Sequence, residues 1–118
     1  MMRVCRPSPA VRETYSRVTG QAPPRAVLLI WPWWLHGFCG LTLGPLVLVK
    51  SECDVGLVCH ELQHVAQFYR RPLSFYPRYL YGLWRYGYRA HPFEREATAV
   101  GTAARRLARE SSGRAPRA

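Results

Sequence analysis

Residues 60–64 read His60-Glu61-Leu62-Gln63-His64, two imidazoles four residues apart with a carboxylate beside the first. That spacing is productive on an α-helix, where residues i and i+4 stand one above the other on the same face. It therefore demands one helix with a polar stripe along it, and the rest of the chain must leave that stripe open. Two imidazoles stacked in this way can grip one metal ion. Zinc suits them, because it takes imidazole nitrogen readily and keeps a fourth position for water in catalytic sites. A bound zinc lowers the pKa of such a water to about 7, and Glu61 leans over the same place to take the proton. The flanking residues support the helix. Asp54 is a suitable N-cap, and Val55, Val58, Leu62, Ala66 and Tyr69 recur at helical spacing on a different face from His60 and His64. The helix is expected from Asp54 to about Tyr69.

At 118 residues the chain has room for one domain with a modest core. Residues 26–49 carry no charged side chain, and their length and apolarity alone would suit a membrane span. Pro32, Gly37, Gly40, Gly44 and Pro45 puncture any helix there, and the branched and aromatic residues between them favour strands. The expectation is a hairpin: one strand over Val27–Leu35, a turn near Gly37–Gly40, and a second strand over Leu41–Val49. Gly44-Pro45 would mark a bulge or bend, with Thr42 facing opposite to Leu41 and Leu43. A segment lying in a lipid interface through Trp31, Trp33 and Trp34 is the competing reading.

Residues 1–25, broken by Pro7, Pro9, Gly20, Pro23 and Pro24, read as a largely extended basic arm, with a short helix conceivable over Arg12–Val18. Arg70 to Ala90 alternates Tyr and Arg. Ser74 can cap a helix there, Pro77 fits its first turn, and Gly87 should end it. A last helix opens at Pro92 and runs to about Arg109, with Phe93, Ala97, Val100, Ala104 and Leu107 as its apolar stripe. Residues 111–118 read as a disordered tail. The fold class expected is α+β: a short hairpin or sheet, the motif helix, a Tyr/Arg-rich helical segment and a final helix bearing glutamates, all within residues 26–110.

The formal net charge is +10, and all of the basic residues except Lys50 are arginine. Such an excess points to an acidic partner, either anionic lipid or nucleic acid. Interleaved Tyr and Arg can hold single-stranded nucleic acid, but no nucleic-acid-binding module is recognisable and a solvated face beside a cleft is the simpler account. Cys5, Cys39, Cys53 and Cys59 form no C-x-x-C pair, and the first residues lack the apolar core of a signal peptide. A cytoplasmic protein, with membrane association allowed by residues 26–49, is the expectation.

A catalytic zinc site needs a third protein ligand. The elongated metzincin pattern is absent, since Gln67 stands where its glycine belongs and Arg70 where its third histidine belongs. Glu94, Glu96 and His91 remain, all at the start of the last helix. Helical geometry places Glu94 and Glu96 on opposite flanks of the apolar stripe and leaves the choice open. Glu94 shares its side with Ala97, Thr98 and Gly101, small residues that permit close approach to the motif helix.

H-E-x-x-H followed by a helix that opens Pro92-Phe93-Glu94-Arg95-Glu96-Ala97 resembles the gluzincin metallopeptidases, and the compact length resembles their minimal forms, the minigluzincins. The resemblance covers residues 26–109 loosely and these two motifs well. It implies a zincin-like fold and a peptide substrate, with zinc held by His60, His64 and Glu94 and with Glu61 as general base. Glu96 is the alternative third ligand. Thr98 replaces the aspartate that in many gluzincins orients a ligand histidine, which leaves that support to be found elsewhere. The resemblance also implies that the strand around Leu41–Val49 forms the upper rim of a cleft where extended peptides add as a strand. Tyr88 and His91 are the candidates to contact substrate or its oxyanion. A function of a different class also fits the charge: a small basic protein binding membrane or nucleic acid, its zinc structural or absent.

Overall fold

The computed structural model describes residues 3–30, 40–51 and 54–113. In chain order the elements are β1 (Arg3–Cys5), α1 (Pro9–Thr19), β2 (Val27–Ile30), β3 (Gly40–Leu43), β4 (Leu46–Val49), α2 (Val55–Arg70), α3 (Phe75–Ala90) and α4 (Pro92–Gly113). The class is α+β, with four helices on a four-stranded mixed sheet of order β1-β2-β4-β3. β1 and β2 are antiparallel, β2 and β4 parallel, and β3 and β4 antiparallel.

The strands alternate as half-buried strands should. Leu28, Ile30, Val47 and Val49 turn to one face, and there they meet Val11 and Tyr15 of α1, Val58, Cys59, Leu62 and Val65 of α2, and Val100 and Ala104 of α4. Thr42 faces the same side as Val47, its register partner, while Leu41 and Leu43 point outward, as the alternation predicts. A threonine in that inward row is explained below by what it meets.

Three expectations are corrected here. Gly44-Pro45 is no bulge within one long strand but the turn of the β3–β4 hairpin, where Gly44 takes φ 61°, a conformation that favours glycine. β2 then pairs with β4 in parallel instead of forming the first arm of a hairpin. The remainder of the predicted first strand, and most of the predicted turn at Gly37–Gly40, fall in residues 31–39, outside the described residues. The N-terminal segment is not an extended arm. Ser8 caps α1 by accepting from the Val11 N–H, Pro9 opens it, and Gly20 closes it in the left-handed region. Its buried Val11 and Tyr15 belong to the core, so the described part of this segment, 3–25, packs with the rest of the fold. Finally, residues 111–113 continue α4; 114–118 lie outside the described residues.

The three C-terminal helices follow the sequence closely. Asp54 Oδ1 accepts from the Leu57 N–H at 3.0 Å and starts α2, which ends one residue beyond the expected Tyr69. Ser74 occupies the N-cap of α3, although its side chain makes no capping bond, and Gly87 (φ 75°) breaks the helix near its end. α2 packs along α4 at a crossing made close by two glycines. A Cβ on Gly101 would stand 2.8 Å from the Gly56 carbonyl oxygen and 3.0 Å from His60 Cβ. That closeness brings the two ends of the site together.

Candidate metal centre

α2 presents His60 and His64 toward Glu94 of α4 and Glu61 toward β3, while another side of α2 is in the core. His60 Nε2 lies 3.2 Å, and His64 Nε2 3.1 Å, from one and the same atom, Glu94 Oε1. The three ligand atoms all lie within 4.8 Å of one another. A tetrahedral ion with zinc–nitrogen and zinc–oxygen bonds of about 2.0–2.2 Å sets its ligands roughly 3.3 Å apart, so the two short edges have the spacing zinc requires. Two neutral imidazoles and one carboxylate are also its customary donors in catalytic sites. The residues present fit the ion.

Each member is held by a neighbour. Gln67 Oε1 is 2.9 Å from His64 Nδ1 and accepts from it when that nitrogen carries the proton, the tautomer in which Nε2, on the Glu94 side, is free to ligate an ion. The Gln67 amide in turn donates to the Phe93 carbonyl at 3.0 Å and to Glu96 Oε1 at 3.2 Å. Tyr79, from α3, donates its hydroxyl to Glu94 Oε2, which leaves Oε1 to the histidines. The Glu61 side chain rests against β3: its Oε1 accepts from the Thr42 hydroxyl at 2.8 Å, and its Oε2 stands 3.7 Å from His60 Nε2. This is why a polar residue occupies the inward row of β3. A Cβ on Gly40 would press within 3.0 Å of Glu61 Cγ, so the strand covers the carboxylate closely.

Burial and charge compete at these groups. Glu61 is 5 % exposed, and desolvation raises its pKa against the pull of His64 and His60. For Glu94 desolvation acts in the same direction, but the hydrogen bonds from His60 and His64 outweigh it and hold the carboxyl well below the usual carboxylate range. His64 is raised despite its burial, because Glu94 favours the imidazolium. The Tyr79 hydroxyl is raised by burial and then by Glu94, so it stays protonated and remains a donor.

The sequence-predicted residues divide clearly. His60, His64, Glu94 and Glu61 meet at one point. Glu96 stands apart from it: its Oε1 accepts from Gln63 Nε2 at 2.6 Å and pairs with Arg70 at 3.3 Å on the far side of Gln67. Tyr88 lines a cleft of about 250 Å³ with Glu61, His64, Tyr79 and Glu94. Burial and the nearby Glu94 push its hydroxyl up to about 12. His91 is corrected. Its ring is buried beneath Gly82, with Nε2 2.8 Å from the Tyr79 carbonyl oxygen and Nδ1 accepting from the Phe93 N–H at 3.1 Å. It packs against α3, and among the described residues it is not one of those lining that cleft.

Sequence reasoning missed Thr42, Gln67 and Tyr79. Gln67 carried a signal, being a polar residue one turn after His64 on the histidine side of α2. Tyr79 carried none, since its contact joins two helices whose packing no local pattern specifies. Comparison with models of known protein families, with curated proteins and with solved structures returns no match for this chain.

Proposed function

We propose that the protein is a zinc-dependent peptide hydrolase of the gluzincin kind, with a zincin-like arrangement of edge strand, motif helix and glutamate helix. The observation that carries this reading is the convergence of both imidazole Nε2 atoms on Glu94 Oε1, with the Glu61 carboxylate 3.7 Å from His60 at the mouth of the same cleft. His60, His64 and Glu94 hold the ion. Zinc bound there would polarise the scissile carbonyl and acidify a water.

The chain's own groups do the rest. Glu61 accepts the proton of the attacking water and delivers it to the departing amine. Its raised pKa suits this double duty, and the Thr42 hydroxyl fixes Oε1 so that Oε2 points to the histidine side. Tyr79 and Gln67 hold Glu94 and His64 in the orientation that binding requires. Tyr88 remains protonated at neutral pH and supplies a donor at the cleft wall for the oxygen on which negative charge grows. Among the described residues β3 is an edge strand, its Leu41 and Leu43 face outward beside the cleft, and an extended peptide can pair along it.

Glu61→Gln keeps the shape and removes the base. The substituted protein should bind zinc as the parent does and lose hydrolysis of a peptide library by about 10²- to 10⁴-fold. A fully active Glu61→Gln protein, or a zinc-loaded parent that cleaves nothing in the library, would overturn the reading.

A further inference from the structure

α3 has its polarity the wrong way round for a helix facing water. Its inward side is made by Phe75 and Gly82, with Tyr79 and Leu83 half-buried. At about 100° per residue, Leu80 and Trp84 fall about 40° apart and nearly opposite Gly82. Leu80 is 65 % exposed, Trp84 80 %, Tyr81 57 %, and Leu73, in the turn before the helix, 96 %. An ordinary surface helix carries charge on that side. The charges here lie to one side of the stripe: at the same rotation Arg78 and Arg85 fall about 20° apart, roughly 120–140° round from its centre and beyond Tyr81, and Arg71 and Arg89 stand near its two ends. No acidic residue occurs between Glu61 and Glu94. Among the described residues none of these four arginines has a carboxylate partner; Arg85 lies over the Tyr86 ring. An exposed apolar stripe with cations of one sign gathered along one side of it suits a helix that rests in a membrane interface, from which long arginine side chains reach phosphate.

We infer that α3 docks the protein on an anionic lipid surface, with Leu73, Leu80 and Trp84 entering the headgroup boundary and Arg71, Arg78, Arg85 and Arg89 meeting the lipid phosphates. Lipid explains the stripe better than single-stranded nucleic acid does. Stacking on bases would use the rings of Trp84 and Tyr81 but leaves two of the most exposed residues, Leu73 and Leu80, without a role. Acyl chains take up the aliphatic and the aromatic side chains alike, and long arginine side chains reach from such a position to phosphate. Leu80 also lines the cleft with Glu61, so docking sets the cleft mouth at the lipid surface. On the peptide-hydrolase reading, the substrates favoured would be polypeptide segments lying close to a membrane. The docking itself does not depend on that reading.

The test is co-sedimentation of the full chain with phosphatidylcholine vesicles that contain or lack phosphatidylglycerol. The protein should partition onto the anionic vesicles and much less onto the neutral ones. Leu80→Ser combined with Trp84→Ser should weaken that partition on the order of tenfold or more, and Arg78→Gln or Arg85→Gln about fivefold each. All four positions are exposed, and far-UV circular dichroism verifies that each variant is folded. Glu61→Gln should partition like the parent, so a failure of the hydrolase reading leaves this result standing. Failure to sediment with anionic vesicles at low salt would overturn the inference. Undiminished sedimentation of the Leu80→Ser, Trp84→Ser protein would do the same. So would an oligothymidine that displaces the vesicles and itself depends on Trp84.

Discussion

Gln67 shows how one side chain can decide whether two histidines are ligands or packing. Its Oε1 stands 2.9 Å from His64 Nδ1, placed to accept the proton of the tautomer that can ligate through Nε2, and its amide is fixed in turn by the Phe93 carbonyl and by Glu96. Tyr15 joins the same network from α1, donating to Gln63 Oε1 at 2.7 Å, while Gln63 donates to Glu96. A chain of hydrogen bonds thus runs from the N-terminal helix to a metal-ligand candidate. Gln67→Ala should lower zinc affinity by about 10- to 100-fold, read by competition with a chromophoric chelator. Unchanged affinity would mean that His64 is oriented by something else. At this scale the sequence was most legible where both partners lie on one helix, as with His60, Glu61 and His64. Glu96 was the ambiguous residue because 100° per residue places it and Glu94 on opposite flanks of the stripe. Only the packing against α2 separates them, one into the site and one onto Arg70.

The elements show the same division between local and distant information. α2 and α4 were readable because capping and a 3.6-residue period are local properties, recorded in Asp54, Pro92 and the apolar positions between. The sheet was not, since strand pairing joins segments far apart in the chain, and a Gly-Pro step fits a turn as well as a bulge. α1 is hard to read from sequence because prolines around it resemble breakers, whereas Pro9 sits at the start of the helix, where its missing N–H costs nothing. The α2–α4 crossing gives a prediction. Gly101→Ala gains up to about 1 kcal/mol of helix propensity but drives a methyl group against the Gly56 carbonyl oxygen, which is backbone and cannot swing aside. Overpacking of this kind costs about 1–3 kcal/mol, so the melting temperature should fall. A stabilised Gly101→Ala protein would show that the two helices are not locked at that crossing.

For the whole molecule, the α+β class was legible from the succession of an apolar strand region and three helical patterns, while its excess of arginine gave only the sign of a partner. Among the described residues no helix is long and apolar enough to cross a membrane. Residues 27–30, 40–43 and 46–49 of the apolar run are strands of the sheet. The buried core also sets a pH limit. Burial pushes the Cys59 thiol from 9.0 up to about 12 and the Tyr15 hydroxyl from 10.0 up to about 12. Both groups hold their protons more tightly folded than unfolded. Their contribution is therefore fully present below about pH 9 and is lost as pH rises through about 12. Denaturant titrations should show stability falling across that window, with a shallower fall in Tyr15→Phe, which has one fewer titrating group. A slope unaltered by that substitution would contradict the assignment of Tyr15.

The central claim is the ligand set, and zinc per chain tests it most directly. Elemental analysis of the purified, zinc-equilibrated protein should give one zinc in the parent and in Glu96→Ala, and none in Glu94→Ala. A parent that holds no zinc, or a Glu94→Ala protein that holds it as the parent does, would contradict the account.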